Sequence, residues 1–95
     1  PSPDILVTNA AGPPAGDYPL AWDADHWQSA PIEVEGTTFH YTPACAAGVW
    51  TLKFFADGVE TRSGTATTQS GDPFGLTFAA ADMGTSADVT VGLAP

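Results

Sequence analysis

Tyr18, Trp22 and Trp27 fall within ten residues of one another, with Asp23, Asp25, His26 and Gln28 interleaved. An aromatic face can stack on the apolar face of a sugar ring while carboxylate, amide and imidazole groups bond the hydroxyls. The same residues suit a protein interface, because Trp and Tyr combine a large apolar area with a polar handle. A third role is structural: one indole can plug the end of a small core and bury about 150–250 Å². Tyr18, Trp22, Asp25, His26 and Trp27 are therefore the candidate binding or interface residues.

Metal chemistry fits poorly. Asp23, Asp25 and His26 cluster, but a calcium loop starting at Asp23 needs Gly and Glu where the chain has Gln28 and Val34. His26, His40 and Cys45 do not follow a zinc spacing. A blue-copper set would add Met83, yet both histidines precede Cys45 and no close Cys–His–Met loop exists. No metal and no cofactor is expected.

Catalysis fits little better. Cys45 and His40 could form a dyad only with a third, orienting group, and the thiol stands between alanines. No glycine-rich phosphate cradle follows a strand. The expectation is that the chain is not an enzyme. Cys45 reads as a small buried hydrophobe, since a single cysteine makes no intrachain disulfide.

The elements that position these residues are strands. Asp4–Thr8 begins the pattern, and the Pro- and Gly-rich stretch 9–17 reads as a loop. Asp23 would cap one helical turn over 24–29, ended by Pro31, with Trp22, His26 and Ser29 on one face. Ile32 and Val34 alternate with Glu33 and Glu35. Phe39 and Tyr41 share a face on a strand that Pro43 should stop, leaving Ala44–Gly48 as a connection.

Val49–Ala56 is the clearest strand. Trp50, Leu52 and Phe54 point inward, and Phe55 points outward as a further interface candidate. Asp57-Gly58 is a preferred type I′ hairpin dipeptide. A simple register sets Phe54 opposite Thr61 and Lys53 opposite Arg62. Residues 69–73 form another turn, and Phe74, Leu76 and Phe78 alternate as a strand. Residues 80–86 form a helical turn or loop. Val89, Val91 and Leu93 close the core.

About seven short strands separated by Gly/Pro turns describe one all-β domain over residues 1–95. It is a small antiparallel sandwich, immunoglobulin-like or related, or a small barrel. Residues 1–31 contain its Pro-, Gly- and Trp-rich arm or loop region.

Charge narrows the partners. Lys53 and Arg62 face eleven acids, giving −9 at pH 7. That is too few cations to neutralise nucleic-acid phosphates or to favour an anionic membrane surface. No 18-residue apolar run is present, so no membrane span is expected. Charged residues make up only 14%, so small polar side chains must cover the surface, as is common in secreted domains and particle subunits. The expected function is a non-catalytic binding or assembly domain of a multisubunit particle or a larger extracellular protein. Its partner would be a protein or a second copy, at the cell exterior or a particle surface, with a cytoplasmic setting still open. The alternative is a carbohydrate-binding module that grips a glycan with Trp22 and Trp27.

Overall fold

Tight turns with positive φ divide the chain. Glu35-Gly36, Ala47-Gly48 and Asp57-Gly58 each hold two successive left-handed residues, with φ of 49° and 83°, 53° and 84°, and 50° and 80°. That geometry matches the natural twist of antiparallel strands. The computed structural model describes residues 5–11, 14–68 and 75–93. Its strands are β1 (Ile5–Asn9), β2 (Gly16–Asp23), β3 (His26–Ser29), β4 (Ile32–Val34), β5 (Thr37–Ala46), β6 (Val49–Ala56), β7 (Val59–Thr67), β8 (Leu76–Phe78) and β9 (Val89–Leu93). One short helix, α1 (Ala80–Met83), follows β8.

Two antiparallel sheets result. One has the order β3-β2-β1-β9-β8 and the other β4-β5-β6-β7. This is the all-β sandwich that the strand pattern implies, with nine strands among the described residues in place of about seven. Ile5, Val7, Leu20, Tyr41, Leu52, Phe54, Leu76, Phe78, Met83, Val89 and Val91 fill the space between the sheets. Leu20, Tyr41 and Met83 are additions to the core read from sequence. Phe74 and the turn 69–73 lie outside the described residues.

The chain crosses between sheets at Ala30-Pro31. β3 pairs with β2 in the first sheet, and two residues later β4 pairs with β5 in the second. The Ser29 hydroxyl accepts the Tyr41 N–H at 3.0 Å, so the end of β3 lies against β5. At the opposite side of the sandwich α1 packs on β7 at Gly64. A Cβ there would come within 3.1 Å of Met83 Sδ and 3.3 Å of Asp82 Cβ.

Several expectations are corrected. Residues 24–29 are not helical: Trp22 pairs with Trp27 and Asp23 with His26 across the β2–β3 hairpin. A helix of that length has no stability of its own, whereas the hairpin joins a five-stranded sheet. β2 already begins at Gly16, inside the stretch read as a loop. Pro43 does not stop β5. It is buried opposite Leu52, and β4 pairs with β5 only as far as Phe39, so no ladder bond to β4 is lost there. The β6–β7 register shifts between Phe54 and Phe55, so Phe54 meets Arg62 and Lys53 meets Ser63. That bulge separates the two cations, and Lys53 lies 3.4 Å from its diagonal neighbour Glu60.

Candidate functional site

The candidate site grows from the β2–β3 hairpin. Its turn is unusually tight. The Asp25 N–H bonds the Asp23 carbonyl at 2.6 Å, closing a three-residue turn about Ala24, whose φ is 56°. This γ-type arrangement is rare and strained for a residue with a Cβ. Directly beneath it Trp22 and Trp27 meet edge to face, with centroids 5.7 Å apart and planes at 72°. Trp22 is 58% exposed, while Trp27 is half-buried against the core.

Strand alternation puts Asp23, His26 and Gln28 on the opposite face from the indoles. There they bond in series. The Gln28 amide Nε2 donates to Asp23 Oδ2 at 2.8 Å, and its Oε1 lies 3.4 Å from His26 Nε2. His26 Nδ1 lies 2.7 Å from Asp25 Oδ1. Both ring nitrogens thus face oxygen acceptors, an arrangement that suits the doubly protonated imidazolium. The bond to Asp25, then that to Gln28, raises the His26 pKa, and the bond from His26 lowers that of Asp25.

The remaining predicted site residues are dispersed. Tyr18 points inward on β2, its ring 5.4 Å from that of Tyr41, and its hydroxyl lies 2.9 Å from the carbonyls of both Pro14 and Ala15. Burial raises its pKa. Tyr18 therefore braces the core and the preceding loop and is not part of the indole pair. Phe55 is on the outer face of the other sheet, half-buried under His40, with centroids 4.7 Å apart and planes nearly parallel. Burial, followed by the nearby charge of His26, lowers the His40 pKa. Trp22, Asp25, His26 and Trp27 are the predicted residues that the fold does bring together.

The registers show what else shares their end of the sandwich. Inward-facing rows in the first sheet run Val7–Tyr18–Val91, then Ile5–Leu20–Ser29–Leu93, then Trp22–Trp27. In the second they run Tyr41–Phe54, then Pro43–Leu52, then Cys45–Trp50. β3 leads into β4, which is antiparallel to β5, and Ser29 meets Tyr41. Moving back along β3 to Trp27 and forward along β5 to Cys45 therefore leads to the same end. All three tryptophans and the lone cysteine gather there. Cys45 is exposed, contrary to its expected burial, and Leu93 is 56% exposed although it was expected in the core. Both have inward parity, but they stand beyond the reach of the facing layer. Val49, next to Trp50, is 46% exposed. Trp50 is half-buried, and its Nε1 donates to the Thr68 hydroxyl at 3.1 Å. Val49, Trp50 and Leu93 were not among the predicted site residues.

No family model, curated protein or solved structure matches the chain. Its chemistry must be read from the side chains themselves. Among the described residues, no group of three His, Cys, Asp or Glu side chains is placed to hold a metal ion. Among them, too, no helix is long and apolar enough to cross a membrane. A cleft of about 470 Å³ between β7 and β8 is lined by Thr65–Thr68, Gly75–Thr77 and Ala79, none of them titratable. A second, of about 290 Å³, lies beside Phe39, Phe54, Arg62, Met83 and Gly84 at the other end.

Proposed function

We propose that this chain is a non-catalytic binding or assembly domain that docks onto protein through its tryptophan-bearing end. It would serve as a piece of a multisubunit particle or of a larger extracellular protein. The observation that carries the reading is the gathering of Trp22, Trp27, Trp50, Val49 and Leu93 at one end, with Trp22 and Leu93 each more than half exposed. An apolar patch rimmed by polar groups is the usual form of a protein contact surface. The sandwich is the scaffold, and the strained hairpin tip fixes the exposed indole in place.

Two measurements test this. Acrylamide should quench Trp22 strongly in the isolated domain, and Trp22→Phe should remove that accessible component. A Trp22 shielded from acrylamide overturns the reading. Light scattering across concentration, with and without reductant, then separates partner types. A mass that rises above 9.7 kDa and falls back in Trp22→Ser indicates copies of this chain. A loss of mass on reduction makes Cys45 the link. A constant monomer assigns the surface to a different protein.

Sugar binding is the second reading, favoured by the open Trp22 ring close to Gln28 and Asp23. It has less support, because these polar groups face away from the indoles and already bond one another. A glycan that shifts tryptophan fluorescence in the wild type and not in Trp27→Ala would favour it over protein docking.

A further inference from the structure

Building on the docking role proposed above, we propose that the tryptophan end receives a cationic segment: an Arg- or Lys-bearing stretch of a basic protein, not a second copy of this chain. The argument is one of charge complementarity. The domain carries −9 with its histidines neutral; its lysine and arginine are engaged away from the hairpin, and at the hairpin His26 faces Asp25 and Gln28. Lys53 pairs with Glu60, and the Arg62 guanidinium donates to the Thr61 carbonyl while its side chain covers Gly84. Two carboxylates stand at the hairpin tip: Asp23 on the strand face opposite the indoles, and Asp25 in the turn, 88% exposed and paired with His26. Each uses one oxygen in the hairpin network. Oδ1 of Asp23 takes no part in that network, and the Asp25 carboxylate also takes a bond from its own backbone N–H.

The indole geometry suits the same guest. Trp22 packs edge to face with Trp27 and is 58% exposed, so part of its ring stays open to a guest. The face of a tryptophan attracts a guanidinium or ammonium within about 6 Å of its centroid. A long basic side chain can lay its methylenes on Trp22 and bring its charge round the turn to the exposed Asp25 carboxylate. A second copy would bring the same two aspartates and another −9 to the contact, and like charges facing one another oppose association.

The test is a titration of the isotope-labelled full chain with amidated hexa-arginine at about 0.15 M salt, where distant charges are screened, with hexaglutamate as the control. The indole N–H resonances of Trp22 and Trp27 should shift, and that of Trp50 should shift less. Trp22→Ala should weaken binding by about 2- to 30-fold, and Trp22→Phe, which keeps a ring, by less. Asp25→Asn should also weaken it. Glu35→Gln, in the turn between β4 and β5, should not. Unmoved Trp22 and Trp27 resonances overturn the proposal. Equal losses in Asp25→Asn and Glu35→Gln with none in Trp22→Ala also overturn it, because the attraction then belongs to the diffuse charge. Failure here with Trp22 still open to acrylamide refutes the cationic partner and leaves the docking end intact. A shielded Trp22 refutes both.

Discussion

The Asn9 amide Nδ2 donates to the Tyr41 hydroxyl at 2.9 Å, joining β1 of one sheet to β5 of the other. Both residues are 1% exposed. Asn9 Oδ1 also accepts the Ala11 N–H at 3.2 Å, so the same side chain fixes the exit of β1. Burial raises the Tyr41 pKa, and the Asn9 bond partly offsets this. Tyr41→Phe strands a buried amide and should destabilise the fold by about 1–3 kcal/mol. Denaturant unfolding of Tyr41→Phe, Asn9→Ala and the double variant gives the coupling. Strictly additive losses would mean that the bond contributes nothing.

Gly64 is the contact point between β7 and α1. A methyl group there meets Met83 Sδ at 3.1 Å, Asp82 Cβ at 3.3 Å and Phe78 Cδ1 at 3.4 Å. Gly64→Ala should therefore cost about 1–3 kcal/mol through overpacking. Thermal unfolding reads this directly. An unchanged midpoint would show that α1 shifts away freely.

Ala24 holds φ 56° at the hairpin tip. Glycine adopts that backbone without the Cβ clash, at the expense of a more flexible unfolded chain. Ala24→Gly should stabilise the domain by a net amount of about 0.5–1 kcal/mol. A loss of stability in this variant would show that the tip is unstrained.

The two histidines should titrate apart. The bond to Asp25 raises the His26 pKa, and burial lowers that of His40. The His26 contribution to stability is complete below the pKa of an unfolded histidine and is lost as pH rises through its raised folded value. Asp25, whose folded pKa is lowered, contributes above the unfolded carboxylate value and loses that contribution as pH falls through the folded one. The hairpin network is therefore strongest in mildly acidic solution. His40 acts in the opposite direction from His26: its folded form releases the proton more readily, so stability declines as pH falls through the ordinary histidine range. Imidazole NMR titration should place His26 above and His40 below a free histidine, and Asp25→Asn should bring His26 down. Coincident midpoints would refute the network.

The strand faces were legible in the sequence, but the depth of cover was not. Alternation correctly pairs Leu52 with Phe54 and Val89 with Val91 as buried residues. The same parity puts Leu93 inward, yet it is exposed, because parity cannot tell how far the facing sheet extends; Cys45, expected to be buried as a small hydrophobe, is exposed at the same end. Asp57-Gly58 announces its hairpin, whereas Ala24-Asp25 does not, since neither residue is a glycine. A capping aspartate followed by spaced aromatics then imitates a helix. Pro43 misleads similarly: its missing N–H matters only where a neighbouring strand needs it. Of the site, Trp22, Asp25, His26 and Trp27 were visible as neighbours in sequence. Trp50, Val49 and Leu93 join them only through long-range pairing.

The pairing of β1 with both β2 and β9 has a consequence for biosynthesis. The four-stranded sheet is a contiguous meander of 32–67, each strand pairing with the next, so it can assemble while the chain is still emerging from the ribosome. The other sheet cannot close over it until β9 arrives to join β1 and β8. Until then β1 and β8 have bare edges, and the inner face of the meander lacks much of its cover. A stalled or truncated product lacking β9 would be a sticky intermediate and a natural client for chaperones.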